Sequence, residues 1–329
     1  MNRAAVAAAP QGRSPVPAPA WRRRLLRAVG LAFMAGVLWL LWRLGRAVPW
    51  DEVWQALRGL HATTLLAAAA VALASYAVYA GYELLARRAL KHRLGLGTTA
   101  AIAYATYSLN LNLGAWVGGL GLRLRLYTRL GLSLERAVAV YGLVALTNWS
   151  GYFLLAGTAF ALRALELPES WRLGEDGLQW IGFGLLALLG TYLGACAFAR
   201  QRAWTLRGRR LELPALGIAL QGLVLSTVNW MLMAGVIWVL LRPTGVAYPP
   251  VLAGLLMAAI AGAATHIPGG LGVVEAVFVA LLGHKLPEAT LLGALLGYRA
   301  LYYLLPLPGA VLSLAALEAQ ARRRQRAAA

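Results

Sequence analysis

The run THIPGGLGVVE, residues 265–275, sits inside one of the most apolar stretches of this 329-residue chain. Pro268, Gly269, Gly270 and Gly272 break a helix that would otherwise cross a bilayer, and they leave a carboxylate, Glu275, at membrane depth. Backbone that stops being helical in lipid must find its hydrogen bonds in protein or trapped water, so such breaks survive only where they are buried or line a cavity. An ionisable side chain beside the break costs about 2.5 to 3.5 kcal/mol on insertion scales, which makes it a functional-site candidate. Glu275 falls in the first turn of the half-helix after the break, where the helix dipole favours a negative charge by only about 0.3 to 1 kcal/mol. A partner is therefore required, and Arg299, in the run GYRALYYLLPLPG from Gly297 to Gly309, is the candidate.

The rest of the chain supports a membrane setting. It is 60% hydrophobic and 13% charged, against about 25% charged in soluble domains. The net charge of +19 does not point to nucleic acid, because the arginines lie in short clusters between apolar runs, where the positive-inside rule puts them. Cys196 is alone, so no disulfide within the chain forms. The N-terminal stretch, with its basic cluster and short apolar run, resembles a signal peptide; the repeat described next argues that it is retained.

Six segments are expected to span: Ala28–Leu44, Thr63–Leu85, Ala137–Leu162, Leu178–Ala199, Ala215–Leu241 and Thr290–Leu317. Two more, Thr98–Gly121 and Pro250–Gly283, are interrupted and read as re-entrant hairpins that enter and leave on one side. With that choice every arginine-rich loop and both termini fall on the cytoplasmic side. Segment starts repeat at an offset of about 150 residues, and Gly118-Gly119-Leu120-Gly121 matches Gly269-Gly270-Leu271-Gly272. The expected fold is thus an all-α polytopic membrane protein: six spanning helices plus two re-entrant hairpins, arranged as an inverted repeat. Residues 1–24 and 319–329 are basic cytoplasmic tails, 25–165 the first repeat and 175–318 the second. Trp50, Val53, Trp54, Leu57 and Leu60 recur at helical spacing and predict an amphipathic interfacial helix.

Within this frame Tyr298 and Tyr302 share a helical face with Pro306, which should kink the last span and free carbonyls. Asn110 and Asn112 offer amides at the first break, and Arg123 lies at its exit. On the second span Glu83 and Arg87 have the favourable order for an i, i+4 pair at a helix end. Asn148, Asn229 and His266 are lone polar residues, for which interhelical hydrogen bonds are the usual reason. By offset Glu275 aligns with Leu124 and Arg299 with Thr147, so the acid and its partner belong to the second half alone. Nucleotide-loop, dinucleotide and zinc-protease signatures are absent from the sequence, and neither a catalytic activity, a cofactor nor a metal is expected.

The combination of IPGGLGVVE, YRALYYLLPLPG and an Asn/Gly-rich segment running into a basic loop resembles the family of the lysylphosphatidylglycerol synthase transmembrane region, also described as flippase-like. The resemblance implies a bacterial cytoplasmic (inner) membrane protein, related to the part that moves aminoacylated phospholipid between leaflets. Pro268, Gly269, Gly270, Gly272, Glu275, Tyr298 and Arg299 carry its motif core. The synthases bear a soluble aminoacyl-transfer domain after this region, and the sequence stops at Ala329 without one, so lipid aminoacylation is not expected. The expected function is translocation of a phospholipid headgroup, anionic or aminoacylated, through a midplane polar cavity lined by Glu275, Arg299, Tyr298, Tyr302, Asn110, Asn112 and Arg123. Two alternatives are a membrane accessory for a separate lipid-modifying enzyme and an ion-coupled small-solute transporter.

Overall fold

The computed structural model describes residues 50–165, 167, 174–199, 203–206, 209–265 and 268–327, with scattered positions between 28 and 46. The chain divides into residues 1–47 and residues 48–329. In the first unit the described positions are helical, and Arg43 and Arg46 lie over the rings of Trp39 and Trp42 one turn earlier. The remainder of the expected first span, like His266, falls outside the described residues.

The second unit opens with α1 (Trp50–Arg58), the expected amphipathic helix, with Trp50 and Trp54 exposed. Then follow α2 (Ala62–Ala89), α3 (Leu96–Gly114), a π-helical segment (Ala115–Gly121), α4 (Leu122–Arg129), α5 (Leu134–Ala161) and α6 (Glu175–Phe198). After a short antiparallel ribbon, β1 (Ala203–Leu206) and β2 (Arg209–Glu212), come α7 (Leu216–Leu241) and α8 (Tyr248–Thr265). A turn at Pro268–Gly270 leads to α9 (Val273–Leu282), α10 (Glu288–Tyr298), a second π-helical segment (Arg299–Leu304) and α11 (Leu307–Ala327). The ribbon is the one departure from an all-helical architecture among the described residues, and it occupies an arginine-rich stretch too polar to enter lipid.

Six described helices are long and apolar enough to cross a membrane: Ala62–Ala89, Leu134–Ala161, Glu175–Phe198, Leu216–Thr244, Tyr248–Thr265 and Glu288–Ala327. Five coincide with expected spans. The sixth, α8, is the first limb of the second interrupted region. Pro249 and Pro250 occupy its first turn, where their missing N–H groups cost nothing, and its 18 residues reach about 27 Å before the break.

Both interrupted regions fold back. At Gly114 (φ 81°, ψ 168°) the chain leaves α3 in a conformation closed to other residues and returns along it, so close that a Cβ on Gly118 would collide with the Leu109 carbonyl. Gly118→Val is expected to destabilise the protein by overpacking, by about 1 to 3 kcal/mol or more, read as a lower unfolding midpoint in detergent; an unchanged midpoint would contradict this close approach. The second region turns through left-handed Gly269, Gly270 and Gly272, after which Phe278 of α9 packs on Gly254 of α8.

The two hairpins are rooted at opposite ends. The start of α3 meets the end of α11 through Gln320 and Thr98, and the loop after α4 meets it through Arg324 and the Leu130 carbonyl. The start of α8 instead meets the far part of α7, where the Tyr248 hydroxyl donates to the Met231 carbonyl.

At the centre α2 and α7 run antiparallel. Gly81 faces Leu225 and Gly235 faces Val71, while between them the Ser75 hydroxyl donates to the Asn229 side-chain oxygen over 2.8 Å. This is the interhelical bond expected of Asn229. Glycines also let α5 approach α7 at Gly151 and α6 at Gly157 and Gly182, the small-residue packing that brings helices together where lipid supplies no hydrophobic drive.

Candidate functional site

Three elements converge where the hairpins meet. The Gly269 backbone lies against the Leu111 carbonyl near the tip of the first hairpin, and Asn112 of α3 donates to the Tyr303 carbonyl in the second π-helical segment over 3.1 Å. Arg299 opens that segment and donates to four acceptors: Glu275 Oε1 (2.5 Å), Glu275 Oε2 (2.9 Å) and the carbonyls of Gly269 and Gly270 (both 2.9 Å). The last two are carbonyls that the break removed from any helical ladder, so one guanidinium satisfies the carboxylate and the broken backbone together. The pair retains some access, 10% for Arg299 and 18% for Glu275.

Local sequence explains the geometry. Gly272 accepts from Ala276 as the helix restarts, which puts Glu275 in the first turn of α9 as expected. Pro306 has no N–H for the Tyr302 carbonyl, and the Tyr76 hydroxyl serves it instead over 3.0 Å. Tyr104 donates to the Pro306 carbonyl over 2.8 Å. Where a kink is expected the helix has the π-helical segment Arg299–Leu304, and Arg299 at its start reaches the break.

Tyr298 and Tyr302 are buried and stacked, with centroids 5.3 Å apart. The Tyr302 hydroxyl lies 2.6 Å from Ser75 and 2.7 Å from Tyr107, so it joins α2, α3 and the last helical pair. Asn110 is not among the hydrogen-bond partners of the ion pair; its side-chain oxygen lies 2.6 Å from where a Cβ on Gly119 would be. Pro268 begins the turn.

Arg123 departs from the expectation. Rather than opening onto a polar cavity, it is 2% exposed and bonded to Glu83, which is wholly buried. Its Nε donates to Glu83 Oε1 over 2.5 Å, Nη1 to the Gly119 carbonyl and Nη2 to the Tyr79 hydroxyl, while Tyr127 donates to Glu83 Oε2 over 2.6 Å. Glu83 accordingly makes no i, i+4 pair with Arg87, whose Nε donates to the Leu94 carbonyl. The reason is packing: the returning limb of the first hairpin lies against α2, and two charges sealed from water must pair. The first half therefore has an ion pair of its own, with the cation on the returning half-helix and the acid on a spanning helix. The second half has the reverse arrangement. Among the described residues no three His, Cys, Asp or Glu side chains converge as a metal-ligand set.

Comparison with known proteins places residues 27–309 within the lysylphosphatidylglycerol synthase TM region. The chain is 42% identical over 306 residues to the inner membrane protein YbhN of Escherichia coli, covering 93% of this chain and 96% of that protein. It is 32% identical over 279 residues to an uncharacterised protein of Synechocystis, covering 84% and 86%. A phosphatidylglycerol lysyltransferase of Staphylococcus aureus is 24% identical over 244 residues, which is 71% of this chain but 27% of that protein.

Proposed function

Because the chain belongs to the lysylphosphatidylglycerol synthase transmembrane-region family and is a multi-pass inner-membrane protein, we propose that it is a lipid translocator rather than an enzyme, passing a phospholipid headgroup between leaflets. The observation that carries this reading is the meeting of two broken helical hairpins, rooted at opposite ends, at the Glu275–Arg299 pair. A lipid headgroup has to be held at mid-depth without water, and half-helices facing each other across a charged pair provide that. The phosphate, a better bidentate acceptor than any neutral group, displaces Glu275 from Arg299 while the Gly269 and Gly270 carbonyls keep the guanidinium aimed. The displaced carboxylate then orients a cationic or hydroxyl-bearing part of the headgroup.

In this reading the hairpins are re-entrant and belong to an inverted repeat with both termini cytoplasmic. Helices starting at 62, 96 and 134 recur at 216, 248 and 288, an offset of about 152 to 154. The contacts Gly81 with Leu225 and Gly235 with Val71 map onto each other under an offset of 154, and Ser75 with Asn229 joins equivalent positions. Contacts that exchange partners in this way are those of a two-fold axis between antiparallel copies. The side assignment rests on arginines: Arg93, Arg129, Arg136 and Arg324 collect at the end where α11 finishes. An anionic or aminoacylated phospholipid is the substrate class suggested by the lysyltransferase relative.

In proteoliposomes with a fluorescent phosphatidylglycerol in one leaflet, Glu275→Gln and Arg299→Ala are each expected to slow translocation at least ~10-fold, the equivalent of about 1.4 kcal/mol at the barrier. Wild-type rates in both variants would remove the ion pair from the path. No movement by the wild-type protein would favour the accessory role, in which a separate lipid-modifying enzyme uses the bound lipid.

A further inference from the structure

A second site lies away from the hairpin contact, at the arginine-rich end. A cavity of about 430 Å³ is lined by His92, Arg93, Ser133, Arg136 and Arg324 together with Leu94 and loop residues 130–132, a size typical of small-ligand pockets. No acidic side chain lines it among the described residues, and Arg93, Arg136 and Arg324 make no ion pair there. The 28-residue helix α5 points its first turn at the cavity, capped by Ser133, whose hydroxyl accepts from the Arg136 amide. The start of a long helix beside three cations favours an anion; Glu135 of the same first turn is not among the lining residues.

The second observation is His92. Its side chain is 4% exposed, yet neither ring nitrogen has a hydrogen-bond partner. A buried polar group without a partner is costly, so an unpartnered imidazole in the wall of a cavity calls for an explanation. Burial, and then the nearby Arg87 charge, push the imidazole pKa down, so at neutral pH the ring offers one N–H donor. The walls are built firmly: Lys91 takes a left-handed conformation (φ 50°), Arg87 fastens the loop at the Leu94 carbonyl over 2.6 Å, and the Tyr127 ring packs edge-on against His92.

We propose that this cavity binds a phosphate group, held by Arg93, Arg136 and Arg324 with His92 donating from its floor. The phosphate comes either from a lipid headgroup in the adjoining leaflet or from a soluble phosphate ester. The site shares no residue with the Glu275–Arg299 pair, so it stands or falls independently of the transport reading.

The test is calorimetric titration of the full chain in neutral detergent with three probes: inorganic phosphate, glycerol 3-phosphate and dihexanoyl phosphatidylglycerol. One saturable site per chain is expected, weakened at least ~10-fold by combining Arg93→Ala, Arg136→Ala and Arg324→Ala, and severalfold by His92→Gln. These arginines are exposed, so the fold should survive, and an unchanged unfolding midpoint checks that. Tighter binding of the lipid than of glycerol 3-phosphate assigns the site to a headgroup; the reverse order assigns it to a soluble ester. Two results overturn the proposal. One is the absence of saturation with all three probes. The other is equal weakening by a charge-matched control, Arg322→Ala with Arg323→Ala and Arg326→Ala, which would reduce the effect to diffuse surface attraction.

Discussion

Arg123→Ala and Glu83→Ala are each expected to lower the unfolding free energy by about 3 to 5 kcal/mol, since removing one partner strands the other charge away from water. The two side chains are 2% and 0% exposed, so neither can rehydrate without opening the contact between α2 and the first hairpin. Tyr127→Phe should cost less, about 1.5 to 3 kcal/mol, because it removes one hydrogen bond to a charged acceptor and leaves the ion pair whole. Replacing both partners by apolar residues of similar volume, Glu83→Leu with Arg123→Met, is expected to be less damaging than either alanine variant alone. Reversible unfolding in mixed micelles, with all variants in one cycle, measures the coupling. Alanine variants that unfold like the parent protein would show that this pair is not sealed.

This second ion pair is also where sequence reasoning fell short. Glu83 and Arg87 stand at a spacing that favours a local pair, and nothing local points to Arg123, forty residues away. The repeat offset aligned Glu275 with Leu124, one position from Arg123, but the charges have opposite sign, so matching residue types hid the correspondence. What was legible is what the backbone chemistry enforces. The breaks at Gly114–Gly121 and Pro268–Gly272 follow from glycine and proline, and the Glu275–Arg299 pairing from the cost of a lone charge at depth. The freed Tyr302 carbonyl follows from Pro306. The tyrosine donors that serve these carbonyls were not legible, because Tyr76 and Tyr104 reach them from helices more than 200 positions away in sequence. The cavity around His92 was equally hidden, since its lining comes from three separate stretches.

The two ion pairs differ in what their arginine does, and this sets the second large effect. Arg123 sits on the helix that its own Nη1 bonds, at the Gly119 carbonyl four residues earlier, whereas Arg299 crosses from another element to hold two carbonyls of a broken backbone as well as both carboxylate oxygens. A planar fork with five donors matches that spread of acceptors; an ammonium with three donors on one atom does not. Arg299→Lys keeps the charge next to Glu275, but three donors cannot serve four acceptors, so at least one is left without a donor. Every one of these bonds has a charged donor, so the expected loss is about 1.5 to 3 kcal/mol for each acceptor left stranded. A variant that loses so much while remaining cationic separates shape from charge. Translocation in Arg299→Lys is expected to fall nearly as far as in Arg299→Ala, at least ~10-fold, with protease cleavage rising within residues 265–275 as the unsupported turn loosens. Near-normal translocation by the lysine variant would mean that Arg299 acts by charge alone, and the Gly269 and Gly270 carbonyls would then need another explanation for their position.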